Sequence, residues 1–320
     1  MSTREIMAAA ARLWGIRLKD QRPDLVPEGS PERSAFRTTI EDEAGDCFVL
    51  EIIAPECRAR KRLIGIMLNR LSADGLSQIV PPLGTPAGDH LAYCRGFWWQ
   101  ITPFIPGTPL ERPAYLGDAE KGEALAAFLA ELGRHTECLH PEQLPPVFSL
   151  KDYLRELEQK MLRHDPAVYQ RVAAVFAFLR ESFPDAHDTL PTTFCHGDYH
   201  PLNVIWRGQA VKAVIDWEFC GPKPEIYDAA NLLGCLGMEH PSGLIDRLAL
   251  AFIERMRRNG AITVGGWGLL VEFVIALRLA WLADWLRKKD REMIDLEVVY
   301  LNLLLNNRDW LKTAWELPRP

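Results

Sequence analysis

The chain has no Cys-x-x-Cys pair, and its seven cysteines (Cys47, Cys57, Cys94, Cys138, Cys195, Cys220, Cys235) are odd in number and scattered. That excludes a disulfide frame and a cysteine-built zinc site, and it points to free thiols in a reducing compartment. Dense basic runs are missing except for Arg287-Lys288-Lys289, which reads as a solvated helix end. With a net charge of -6 this argues against a nucleic-acid partner. Long uncharged apolar runs are missing too. The most apolar stretch, Leu269 to Leu286, is interrupted by Glu272, Arg278 and Asp284, so it reads as a buried or amphipathic helix and not a membrane span. The opening Met-Ser-Thr-Arg-Glu-Ile is polar and lacks the pattern of a secretory leader. The expectation is a cytoplasmic protein with no membrane partner; its oligomeric state is unknown from sequence. Two further scarcities matter below. No Gly-x-Gly-x-x-Gly loop occurs between the first strands, and only two lysines, Lys19 and Lys61, precede residue 100.

What is present fits 320 residues of ordinary globular composition, enough for one large or two medium domains. Residues 4 to 18 have helical spacing. Phe36 to Ile40 and Cys47 to Ile53 are β-rich runs around a turn at Glu43-Ala44-Gly45-Asp46, hence a hairpin. Pro55 opens a helix that runs to about Leu71 and carries Lys61, with closure at Asp74-Gly75. Further strands are expected at Gln78 to Val80, Leu91 to Cys94 and Phe97 to Thr102, before the proline-rich Pro103-Phe104-Ile105-Pro106-Gly107. Beyond Gly107 helical periodicity dominates: Asp118 to Cys138, Leu150 to Leu162, Ala167 to Phe183, Ala229 to Leu236, Gly243 to Asn259, Trp267 to Lys288, Glu292 to Asn306, and a short one to Trp315. Gly265-Gly266-Trp267-Gly268 reads as a turn. The fold class is α+β, with a small β-rich N-lobe and a large helical C-lobe. The expected bounds are 1–102 for the N-lobe, 103–107 for a hinge, and 108–320 for the C-lobe.

One β-rich insert interrupts the helical part, from Phe194 to Glu218. It contains His196-Gly197-Asp198-Tyr199-His200-Pro201-Leu202-Asn203, then a turn at Arg207-Gly208-Gln209, then Ala213-Val214-Ile215-Asp216-Trp217-Glu218. Two short strands around that turn would return Asp216 beside Asn203. A carboxylate that takes a proton, and a carboxylate and carboxamide that hold Mg2+, are the groups that phosphoryl transfer from ATP needs. The motif His-Gly-Asp-x-x-x-x-Asn with Ile-Asp-Trp-Glu thirteen residues on resembles the aminoglycoside phosphotransferase and choline kinase-like family, relatives of the protein kinases. Phe104-Ile105-Pro106-Gly107 and Gly221-Pro222…Tyr227-Asp228-Ala229-Ala230-Asn231 add to the resemblance, which covers about residues 30 to 310.

The resemblance implies a bilobal protein-kinase-like fold and an ATP-dependent transfer of the γ-phosphate to a hydroxyl of a small molecule, be it a sugar, an amino alcohol or an aminoglycoside-like compound. It implies Asp198 as the catalytic group that orients the acceptor hydroxyl and takes its proton, and Asn203 and Asp216 as ligands of Mg2+. His196 and Asp228 would brace the loop. Adenine would sit at the hinge, with Pro103 giving its carbonyl, Ile105 its amide, and Thr102 guarding the back wall. One departure stands out. The family's third strand normally carries a lysine for the phosphates, paired to a helix glutamate; in Val49-Leu50-Glu51 that place is Glu51. An inverted arrangement follows as an expectation, with Lys61 (or Arg60) reaching the phosphates from the helix and the Ser34 hydroxyl adding a contact from Glu32-Arg33-Ser34-Ala35-Phe36.

Acidic and basic residues from Glu218 onward nearly balance, so no polycationic acceptor is singled out. Trp267, Phe273, Trp281 and Trp285 are either an aromatic wall for the acceptor or plain core. The competing reading is a catalytically silent nucleotide-binding regulatory protein of the same fold, motivated by Glu51. A protein kinase is disfavoured by the short span between Asp216 and Asp228, which leaves no room for a peptide-docking segment.

Overall fold

A computed structural model describes residues 2–27, 29 and 34–318. Glu32 and Arg33 of the expected phosphate contact lie outside the described residues. In chain order the first elements are helix α1 (Thr3–Ala11), strands β1 (Leu18–Gln21), β2 (Ser34–Asp42) and β3 (Cys47–Ile53), helix α2 (Arg58–Ala73), and strands β4 (Ala92–Cys94) and β5 (Phe97–Pro103). Helices α3 (Ala119–His135), α4 (Leu150–His164), α5 (Pro166–Ser182) and α6 (Pro184–His187) follow. Then come β6 (Thr192–Cys195), β7 (Val204–Arg207), β8 (Ala210–Val214) and β9 (Gly221–Pro224). The chain closes with α7 (Tyr227–Glu239), α8 (Arg247–Asn259), α9 (Val264–Gly268), α10 (Leu270–Lys288), α11 (Arg291–Asn306) and α12 (Arg308–Ala314).

These elements divide into two compact units, one comprising Met1–Leu110, Arg134–Leu144 and Pro201–Phe219, the other Glu111–Gly133, Pro145–His200 and Cys220–Pro320. The first unit is built on an antiparallel five-stranded sheet of order β1-β2-β3-β5-β4. Ile40, Leu50, Trp99 and Ile101 alternate onto one sheet face, where Met7, Ala10 and Ala11 of α1 cover them. The hairpin β7-β8 belongs to this unit. Val214 donates its N–H to the Gln78 carbonyl at 3.0 Å, and Ile79 bridges Val214 in parallel. The residues after β5 are fastened to the same hairpin: Thr108 bridges Trp206, and Lys212 Nζ donates to the Pro106 carbonyl at 2.8 Å. Gly107 makes this approach possible, because a Cβ there would stand 2.6 Å from Ile205 Cγ2.

The second unit is helical. α10 is its centre: Leu270, Val271, Phe273, Val274, Ile275, Ala276 and Leu279 are buried all round, and α7 and α11 pack on it. The short pair β6-β9 also lies here, and β6 carries the chain into the segment that ends at His200.

Several elements differ from the sequence reading. The helix expected over 4–18 ends at Ala11, tightens into a single turn at Arg12–Trp14 and stops at Gly15 with φ +75°. Residues Leu18–Gln21 join the sheet instead. Gln78 to Val80 is no strand but one bridge, since Pro81 and Pro82 follow and have no N–H to extend a ladder. The helix expected from Trp267 begins at Leu270, and the glycine-rich stretch before it forms the one-turn α9 capped by Thr263 instead of a turn. The helix expected from Gly243 begins at Arg247, where the Asp246 side chain accepts its first N–H.

Candidate active site

The motif residues fall into two groups, one in each unit. In the helical unit β6 runs into His196-Gly197-Asp198. Gly197 has φ +85°, a conformation that costs a side chain strain and glycine none. This turn is held by Asp228 at the start of α7. Its two carboxylate oxygens accept the backbone N–H groups of His196 at 2.7 Å and Gly197 at 2.8 Å. His196 is fully buried, and its Nδ1 accepts the Asp198 N–H at 3.2 Å. Burial pushes the Asp228 carboxyl up to about 6, against the pull of the two N–H donors and Lys223; the neighbouring Asp198 adds to the rise.

Asn231 was not singled out from the sequence as a site residue, although it ends the quoted Gly221…Asn231 stretch. One turn after Asp228 on α7, it faces the same loop. Its Nδ2 donates to the Tyr199 carbonyl at 3.2 Å and stands 3.5 Å from Asp198 Oδ1, while its Oδ1 accepts from Trp281 Nε1 at 3.4 Å. His200 Nε2 lies 3.7 Å from the same Asp198 oxygen, with its ring edge-on to Trp281. Of the four aromatics, Trp267 and Phe273 are buried core. Trp281 and Trp285 are half-buried and stacked on each other at 5.9 Å. Arg278 lies over the Trp281 ring and Lys288 over that of Trp285. Each ring of the pair thus already has one cation at its face.

In the first unit the β7-β8 hairpin returns Asp216 to Asn203. Val204 pairs with Val214, and Ile215 donates to the Asn203 carbonyl at 3.0 Å. Asn203 is 4 % exposed. Asp216 has φ +63°, an uncommon conformation for a residue with a side chain, and Trp217 Nε1 fixes the turn by donating to the Val214 carbonyl at 2.9 Å. One carboxylate and one carboxamide form a hard-oxygen pair suited to Mg2+. Two residues on, Glu218 pairs with Lys61 of α2, and its carbonyl accepts Arg60 Nε at 3.1 Å and Nη2 at 2.9 Å. Burial pulls the Lys61 pKa down, but Glu51, Glu218 and Asp216 outweigh it and leave the ammonium above its usual range.

Glu51, on the middle of β3, is met by Arg37 Nε at 3.0 Å and by the Ser34 hydroxyl at 3.0 Å. Sequence reasoning passed over Arg37; the available signal was its place opposite Glu51 in the β2-β3 hairpin. Thr102 and Pro103 end β5 opposite Val49 and Phe48, the Phe104 N–H is used by the Cys47 carbonyl at 2.9 Å, and Ile105 follows half-buried.

The architecture is that of the protein-kinase-like fold. An amicoumacin kinase solved with AMP-PNP and Ca2+ superposes with a TM-score of 0.68 at 16% identity, over 94% of this chain and 93% of that one. A choline/ethanolamine kinase family protein from Mesorhizobium loti gives 0.62 at 19% identity, over 99% and 100%. Within that class the sequence itself is decisive: residues 30–261 match the model of the phosphotransferase enzyme family, and the chain belongs to that family. It is a small-molecule kinase with a hydroxyl acceptor. Among curated relatives, the homoserine kinase of Methylobacterium nodulans is 29% identical over 229 residues, 69% of this chain and 68% of that protein. The homoserine kinase of Phenylobacterium zucineum is 28% identical over 200 residues, 61% of this chain and 58% of that protein.

Proposed function

We propose that the chain transfers the γ-phosphate of ATP to the hydroxyl of a small metabolite, with an amino alcohol of the homoserine type as the first acceptor to test. The observation that carries this is the hairpin that sets Asn203 and Asp216 side by side, with Asp216 in a strained backbone conformation. Strain at an oxygen donor is retained where the donor's direction matters. Asn203 and Asp216 would hold Mg2+, which when bound supplies charge neutralisation at the phosphates. Asp198, on a turn fixed by Asp228 and His196, orients the acceptor hydroxyl and takes its proton as the phosphoryl group arrives. Asn231 keeps the Asp198 carboxylate in one orientation. Adenine takes its place at Thr102, Pro103 and Ile105, and Lys61 and Ser34 serve the phosphates. The homoserine acceptor is supported by the curated relatives, whose own activity it is.

The test is a Mg2+–ATP kinase assay against homoserine, choline, ethanolamine, simple sugars and aminoglycosides. Turnover on one acceptor class, lost in Asp198→Asn, is the expected result. Nucleotide binding with no turnover on any acceptor, and no effect of Asp198→Asn, would favour the silent regulatory module that Glu51 at the strand-lysine position suggests.

A further inference from the structure

The inference rests on the proposed ATP-dependent activity and concerns how the nucleotide is gripped. Glu51 is 8 % exposed at the strand position where a phosphate-binding lysine is expected. A carboxylate there repels phosphates unless a cation neutralises it, and Arg37 stands against it. Arg37 is its direct cross-strand partner, so both side chains stand on one face of the sheet, with Arg37 Nε 3.0 Å from Glu51 Oε1. Lys61 of α2 is ion-paired with Glu218, two residues on from Asp216, and the charges of Glu51 and Asp216 add to that hold. The Arg37 guanidinium also reaches toward the metal-ligand end of the hairpin. Its Nη1 donates to the Gly29 carbonyl at 3.2 Å, and a Cβ on Gly29 would stand 3.7 Å from that Nη1 and 3.3 Å from Cδ1 of Ile215, the neighbour of Asp216.

We propose that Arg37 and Lys61 form a two-cation clamp on the nucleotide phosphates, with Glu51 as the positioning residue that holds Arg37 and Glu218 as the one that holds Lys61. This is a charge-reversed counterpart of the strand-lysine and helix-glutamate pair. A guanidinium suits the strand place because it sets a permanent positive charge against Glu51 and its planar fork matches the geometry of phosphate oxygens. It also accounts for the scarcity of lysine before residue 100: the charge is supplied by an arginine on the neighbouring strand and a lysine on the helix.

The test is calorimetric titration of the full chain with Mg2+–AMP-PNP, which reads binding and not turnover. Arg37→Ala and Lys61→Ala are each expected to weaken affinity at least tenfold, and Arg37→Lys to recover part of the loss. Glu51→Lys should weaken binding, because it sets a second cation against Arg37. Unchanged affinity in Arg37→Ala would overturn the clamp. If that variant does not fold, Arg37→Gln is read in its place, with the same two outcomes. Asp198→Asn separates the two ideas. If it binds the nucleotide normally and abolishes turnover, the kinase reading stands, and the Arg37 variants alone decide the clamp. Failure of the unaltered chain to bind any Mg2+–nucleotide overturns both.

Discussion

Asp228 shows how one buried carboxyl can set the turn that carries the proposed catalytic group. Ionised, it offers an acceptor oxygen to each of two backbone N–H groups; protonated, one oxygen becomes a donor and one of those bonds is lost. Because its folded pKa is raised from 3.8 to about 6, the folded chain binds more protons than the unfolded one between those values. Stability from this group is therefore present at low pH and lost as pH rises through that window, by roughly 3 kcal/mol in all. Activity should run the other way, falling below about pH 6 as the His196–Asp198 turn loosens, with Lys223 and Asp198 as the charged neighbours that tune the midpoint. Asp228→Asn should flatten the pH dependence of the unfolding midpoint over that range and lower turnover at every pH; a variant that keeps the parent's slope would contradict this. At Asp198 the expectation is simpler. Asp198→Asn should lower kcat by about 10²- to 10⁴-fold, the usual contribution of a general base, measured in the kinase assay with nucleotide affinity retained. Gly197→Ala should destabilise the fold by about 1 kcal/mol or more, since φ +85° is denied to alanine without strain, and denaturant unfolding would reveal it.

Among elements, the β7-β8 hairpin and helix α10 carry the most consequence. The hairpin makes two metal-ligand candidates neighbours and also fixes the residues after β5 through Thr108 and Lys212. Gly107→Val puts atoms where Ile205 Cγ2 and the Trp206 carbonyl already stand, so it should loosen this attachment and weaken nucleotide binding several-fold by titration. α10 is braced from α11 by a buried ion pair, Arg278 Nε to Glu297 Oε1 at 2.7 Å, with both side chains at most 3 % exposed. Glu297→Ala would leave the arginine charged and unpaired, at a cost of about 3–5 kcal/mol in unfolding free energy; replacing both residues with methionine should cost far less.

At the scale of the whole molecule, the sheet-bearing unit and the helical unit each hold part of the proposed chemistry. Ligand that binds only the folded chain stabilises it by mass action, by about 2.7 kcal/mol at a hundredfold excess over Kd. Mg2+–AMP-PNP should therefore raise the unfolding midpoint by a few degrees, and EDTA should remove most of that gain; scanning calorimetry checks both. Among the described residues no helix is long and apolar enough to cross a membrane. The fold class was legible because periodicity changes from two to three-and-four near Gly107, and the residues proposed for catalysis and metal binding because their types recur at motif spacing. Element ends were less legible. Gly15 stops a helix whose apolar pattern continues, and Pro81-Pro82 reduce a strand-like run to one bridge.

By itself the sequence determined the reaction class, through Asp198, Asn203, Asp216 and their order, and the missing strand lysine at Glu51. It could not pair charges across strands and helices. Arg37 became a partner of Glu51 only through the β2-β3 register, and Lys61 met Glu218 only when the Trp217–Phe219 turn, more than a hundred residues away, folded against α2. Likewise the cations over Trp281 and Trp285, Arg278 and Lys288, and the stacking of the two half-buried rings appear only in the folded chain. Burial and charge pairing depend on contacts between residues far apart in the chain, and those contacts exist only in the folded structure.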